Sequence, residues 1–493
     1  MIDDNNTKKN NFNDSPKDAE YNLKSENMLL KESKVSVYNR NKQPEKEEEI
    51  QTNQILIKSY EESPSRYYIL VSYCFCIFAS GFQWLSFTSL PFFSIYYELS
   101  QWKIDFFSLI YMIEYIILFI PIILLLEKLS TKNMFRISSL CVLVGSFLKI
   151  FINKDKSLSI CYIGQIISGL GHPYLLMIPG KISADWFKEN KRNLICTICF
   201  LSEISGILIG YIWNLAYIKK EENNKDDYKD HVYRYFLAEF ILVLIFCIPA
   251  LFVEESSPEK PSSPSKEKKL SKFGKDTLII LFNNFKYIII LISMFFIGGY
   301  YCIISMKFIS FVGIYGLDKN KSDIVYSISI TVGIVCSLII SFILDKYKKY
   351  KIIFIILSIL STISQIFLTF LLELVDSKEL NAYTICIILY IFINVSVISF
   401  YSSIINYICE IIYPIVEYIS IAFIILVIYI YNICGHFLYK YILENNEKKY
   451  VCNIIFVIFF FISAVLSFFY ENKLKRYEID KNEENNQDNN LND

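Results

Sequence analysis

Residues Glu254 to Asp276 read EESSPEKPSSPSKEKKLSKFGKD, and the rest of the chain is arranged about this polar stretch. Pro258, Pro261 and Pro264 stand among serines and six lysines, a composition that reads as a flexible, solvated linker. Six long apolar segments precede it and six follow it. The stretch therefore divides the chain into halves, either as a hinge between two bundles or as a plain spacer.

The composition supports this division. Of 493 residues, 54% are hydrophobic, the mean hydropathy is +0.37, and Phe and Tyr number 40 and 37. Apolar runs of about 18 residues or more read as membrane spans. Net charge is zero and the isoelectric point is about 6.8, so nothing points to nucleic acid. The 13 cysteines are scattered through apolar segments without a CxxC pair or zinc spacing, and they are expected to be reduced, packed thiols. With three histidines and no P-loop, HExxH or nucleophile elbow, the chain is not expected to be an enzyme or to carry a cofactor or metal. Residues 1–66 are polar, lack apolar periodicity and are expected to be disordered. They contain no apolar core of a cleavable signal, so the first span is expected to act as an uncleaved one. Ile2 follows Met1, which excludes a myristoylation motif. The tail, 471–493, is rich in Asn, Asp and Glu and is likewise expected to be disordered.

The predicted spans of the first half are Tyr67–Tyr97, Ile104–Leu126, Met134–Ile152, Leu158–Ile182, Leu194–Tyr217 and Tyr233–Val253. Those of the second are Phe285–Phe308, Ile324–Leu344, Ile352–Leu372, Tyr383–Tyr407, Ile411–Tyr441 and Val451–Tyr470. Without water in the bilayer core each must satisfy its backbone internally, so each is expected to be a helix. The expected fold is an all-α integral membrane protein. A six-helix bundle at 67–253 and another at 285–470 are joined by the linker at 254–284. Twelve helices in two sixes resemble the major facilitator superfamily. Lys and Arg concentrate in the even loops: Lys128, Lys132 and Arg136; Lys188, Lys191 and Arg192; the linker; and DKYKKYK at Asp345–Lys351. The odd loops are sparser or balance cations with acids, as from Lys219 onward. The linker and both termini are therefore expected in the cytosol. Glu127-Lys128 and Asp345-Lys346 occupy equivalent places in the halves and resemble a degenerate copy of that superfamily's loop signature.

Several motifs lie inside the spans: Gln83-Trp84; Ser108 and Tyr111-Met112; Gly164-Gln165, Pro179 and Trp186-Phe187; and Tyr413-Pro414-x-x-Glu417. In order and spacing these resemble the feline leukaemia virus subgroup C receptor-related family, a branch of the same superfamily, over roughly residues 67 to 470. The resemblance implies transport of choline and ethanolamine, with haem export as the alternative cargo. It also implies a pocket in which Trp84 of the first helix faces Tyr301 of the seventh, with Gln83 beside Trp84. Cation–π attraction independently suits such a cargo, because a quaternary ammonium has no N–H to donate. The pattern departs from the family where His172 replaces a glutamine of the fourth helix and where Tyr429 falls near a glutamine of the eleventh. It departs again where Glu203 lies at an Asn-Gln pair of the fifth and Glu114 at an apolar position. These departures leave a relative of choline open as the substrate.

Ionisable groups inside a membrane are costly and point to function. Glu114, Glu203 and His172 are such groups, the plain alternative being a satisfied role in packing. Lys149, Glu239 and Lys307 lie nearer helix ends and are expected to snorkel. The leading reading is a monomeric transporter of small amine cations in the plasma membrane or an organelle membrane, with the lipid bilayer as its surroundings. Haem transport, with His172 and His436 as axial ligands, and a non-transporting receptor or scaffold are the alternatives.

Overall fold

The computed structural model describes residues 62–87, 93, 97–153, 158–217, 225–258, 260–266, 273–317, 319–376, 382–443 and 449–492. The disorder expected for the N-terminal region therefore falls almost wholly outside the described residues. Eleven described helices are long and apolar enough to cross a membrane. The first bundle contains α1 (Arg66–Trp84), α2 (Gln101–Lys128) and α3 (Thr131–Lys149). Three short helices follow: α4 (Leu158–Leu170), α5 (His172–Met177) and α6 (Pro179–Trp186). The bundle closes with α7 (Arg192–Tyr217) and α8 (Lys225–Leu251).

The fourth expected span is thus broken into three pieces in series. Pro173 and Pro179 sit at the starts of α5 and α6, where the missing N–H costs no helical bond. The start of α5, His172, lies between the bundles, in contact with α1, α7 and α14.

After the linker come α9 (Lys275–Asn283), α10 (Phe285–Gly313), α11 (Lys319–Tyr347) and α12 (Tyr350–Asp376). The second bundle continues with α13 (Ala382–Ile411), α14 (Glu417–Leu443) and α15 (Lys449–Ser467). Asn284 caps α10 by accepting from the Lys286 amide at 3.1 Å. Within the bundles α1 packs on α7, α3 on α4, α11 on α13 and α12 on α15. Between the bundles α7 lies against α11 and α13, and α2 lies against α14. The α1–α7 contact needs glycine: a Cβ on Gly81 would stand 2.6 Å from the Glu203 carbonyl oxygen, and one on Gly206 would collide with the Phe78 carbonyl.

Two expectations about the polar segments are corrected. The linker is not a solvated spacer throughout, because Ser262, Ser263 and Ser265 are buried. Ser262 donates to the Ala184 carbonyl at 3.1 Å, and Ser263 accepts from Arg192 at 2.6 Å. The tail is not disordered throughout either: it forms α16 (Lys475–Asn492), with Arg476 and Asp480 buried. Asp480 accepts from the Ser265 amide at 2.8 Å and pairs with Arg192 at 2.7 Å; Arg476 pairs with Glu417 at 2.9 Å. Burial opposes charge on Arg476, but Glu417, Glu410 and Asp480 outweigh it and its pKa is raised. Composition alone missed both features, since the partners that make these polar groups buriable come from remote parts of the chain.

Candidate functional site

The bundle interface is closed by polar contacts at both ends. At the end that carries the linker, Asp345 accepts from the backbone amides of Asn193 and Leu194 at 3.1 and 2.7 Å, where α7 begins. Those amides are unpaired within the helix and favour an anion. Lys348 adds a bond to the Glu189 carbonyl at 2.7 Å. At the opposite end Asp105 of α2 pairs with Lys307 of α10, and His436 of α14 lies 3.6 Å from the same carboxylate. The helix is interrupted at Lys307, whose φ of −123° and ψ of 16° are not helical. The Tyr211 and Tyr326 rings, from α7 and α11, stand 4.5 Å apart, and Tyr326 also packs on Phe308, the residue after Lys307.

Between the two seals lies a buried cluster contributed by both bundles. His172 Nδ1 is 2.9 Å from Ser80 Oγ of α1. Its Nε2 is 3.4 Å from Tyr429 Oη of α14 and 3.5 Å from Glu203 Oε1 of α7. Tyrosine rings surround these groups. The Tyr111 ring is 5.3 Å from that of His172, and Tyr115 meets Tyr429 edge-on at 5.1 Å. On the other side Tyr401 of α13 packs on Phe200 at 4.2 Å and lies 6.0 Å from Tyr301. The Tyr301 and Tyr111 hydroxyls are buried, and Ser305 and Ser168 are the polar side chains near them. This cluster places an acceptor carboxylate among π faces and hydroxyls, the groups that hold an organic cation stripped of water.

Of the residues singled out from sequence, His172, Glu203 and Tyr429 meet directly, and Tyr301 lies on the same side of the cluster as Tyr401. The first span was expected to run to Tyr97, but α1 ends at Trp84. Its indole N–H donates to the Ser108 carbonyl at 3.0 Å, and among the described residues no ring contact joins it to Tyr301. Gln83 turns into the first bundle, where it accepts from Ser168 at 2.8 Å and Lys149 at 3.3 Å and donates to the Val142 carbonyl at 3.3 Å. Glu114 faces Gly169 of α4, and among the described residues neither of its buried carboxylate oxygens has a hydrogen-bond partner.

The expectation that Lys149, Glu239 and Lys307 snorkel is corrected. Lys149 and Glu239 are fully buried and pair at 3.2 Å, and Lys307 is held by Asp105. Their partners lie on other helices, which removes the need to reach the membrane surface. Sequence reading passed over Asp105, Ser80, Tyr115 and Tyr401. Asp105 had a signal, since a carboxylate one turn before Ser108 lies just inside a span.

Two helical bundles closing at both ends over a buried polar cluster are the architecture of a membrane transporter, not of an enzyme. The chain belongs to the Major Facilitator Superfamily, whose family model matches residues 69–429. The solved structure of FucP, a transporter of that superfamily in the outward conformation, superposes with a TM-score of 0.61 over 82% of this chain and 98% of its own, at 13% identity. Among curated relatives, the choline/ethanolamine transporter FLVCR2 of Homo sapiens is 24% identical over 231 residues, 46% of this chain and 44% of its own. The choline/ethanolamine transporter FLVCR1 of Felis catus is 22% identical over 323 residues, 61% of this chain and 58% of its own. An uncharacterized MFS-type transporter of Caenorhabditis elegans is 25% identical over 291 residues, 58% of this chain and 49% of its own. The chain spans about half the length of the curated relatives it matches. The resemblance read from the motifs is borne out by these relatives.

Proposed function

We propose that this chain carries small amine cations of the choline and ethanolamine class across a membrane by alternating access. The observation that carries the reading is the meeting of Glu203, His172 and Tyr429 between two sealed ends, with Tyr111, Tyr115, Tyr301 and Tyr401 around them. A cation that reaches this depth leaves its hydration shell, and ring faces and the carboxylate replace it. The names of the curated relatives support the same cargo.

The linker face is the cytosolic face in this reading, because the cation-rich loops lie there. Transport then alternates two events. Parting of Asp345 from the start of α7 opens the site to the cytosol, and parting of Asp105 from Lys307 opens it to the other side. Trp84, one residue beyond Gln83 at the end of α1, contributes an indole face to the path. The haem reading finds less support. His172 is held by Ser80, Tyr429 and Glu203, while His436 is held near Asp105 at the far seal, so the two do not form an axial pair.

Purified protein in sealed vesicles, offered labelled ethanolamine, choline and haem in turn, tests the proposal. Saturable amine uptake above that of empty vesicles is expected. Uptake of haem alone, or of none of the three, would overturn it.

A further inference from the structure

The groups that meet at the centre differ in kind from an all-aromatic cage. Glu203 offers carboxylate oxygens between the bundles, and its side chain keeps 11% exposure where most of the cluster is more fully buried. His172 Nε2 and Tyr429 Oη lie beside it, and Tyr301 and Tyr111 bring further buried hydroxyls to the cluster. Such a set is rich in acceptors for N–H. A primary ammonium has three donors and a strong hydration shell, so it gains most where a carboxylate and hydroxyls can replace that shell. A trimethylated nitrogen offers no donor and holds a carboxylate farther off by the radius of its methyl groups. It gains from ring faces, but its nitrogen gives the carboxylate and hydroxyls no hydrogen bond.

Resting on the amine-transport reading, we infer that Glu203, with His172 and Tyr429, makes this site select ammonium groups that carry N–H over fully methylated ones. Ethanolamine-like primary amines are then the preferred cargo, and Glu203 is the residue that sets the preference. Charge alone attracts both cargoes to Glu203; only the N–H donors distinguish them.

The test compares kcat/KM for labelled ethanolamine and labelled choline in vesicles containing equal amounts of parent, Glu203→Gln or Glu203→Asp protein. The parent is expected to favour ethanolamine by about tenfold or more, the scale of one charge-assisted hydrogen bond. Glu203→Gln should weaken both cargoes but ethanolamine more, narrowing the preference by about tenfold. Glu203→Asp, which keeps the carboxylate, should retain most of it. Thermal stabilisation of the purified proteins by ethanolamine and by choline checks the same order in binding and shows whether each variant is folded. A parent that prefers choline, or a Glu203→Gln variant that loses both cargoes equally, overturns the inference and leaves amine transport standing. A parent that carries neither overturns both.

Discussion

At the scale of single residues, Trp84 is the sharpest probe of the aromatic reading. Its indole N–H is taken by the Ser108 carbonyl, which fixes the ring plane at the end of α1. An organic cation passing over that ring gains about 0.5–2 kcal/mol. Trp84→Ala should therefore lower amine kcat/KM by about two- to thirtyfold at equal membrane abundance. Trp84→Phe should retain part of the activity, because a weaker π face remains although the bond to Ser108 is lost. Radiolabelled uptake checks both variants, and an alanine variant as active as the parent would remove Trp84 from the path. The seven residues proposed from sequence divide by surroundings. His172, Glu203 and Tyr429 converge, and Tyr301 stands close by. Gln83 belongs to the interior of the first bundle, and Glu114 sits against α4. Residue type marked each as unusual inside a membrane, but only the rotation of each helix decided which face it presents.

Among the elements, α16 and the linker carry the least anticipated role. Together they place Arg476, Asp480, Ser263 and Ser265 against Arg192 at the start of α7 and against Glu417 at the start of α14. They fasten the two bundles at the linker face. Removing one partner from a buried ion pair costs about 3–5 kcal/mol, because the other charge remains buried. Arg476→Ala should therefore loosen that seal. Hydrogen exchange read by mass spectrometry should show faster exchange in peptides covering residues 192–197 and 410–417. Peptides covering Asp105 and Lys307 at the opposite seal should be little changed. Unaltered exchange at the linker face would show that α16 packs there without closing it. The broken fourth span was partly legible, since Pro173 and Pro179 each interrupt a helical ladder. The chain pattern could not show that the start of α5, His172, lies between the bundles.

For the molecule as a whole, the proposed function carries one expected orientation in the membrane. The linker, the start of α10 and α16 share a face, and the loops richest in Lys and Arg lie on it. Epitope tags at either terminus or in the linker should be protected from protease added to intact cells and should become accessible once the membrane is permeabilised. Digestion of the linker tag in intact cells would reverse the assignment of faces and with it the assignment of the two seals.

The amino-acid sequence by itself determined the class of fold. Runs of apolar residues long enough to cross a bilayer have no other way to satisfy their backbone, and a polar linker after the sixth divides them evenly. It also carried the superfamily, whose family model matches residues 69–429. Tertiary structure alone decided which charged side chains meet. Asp105 and Lys307 are 202 positions apart in the chain, and Tyr429 is 257 from His172. Each pair joins helices of different bundles, and no local periodicity records such a pairing. The same holds for the buried serines of the linker and for α16. A segment reads as solvated when its polar groups are counted alone, and as part of the core once remote partners satisfy them.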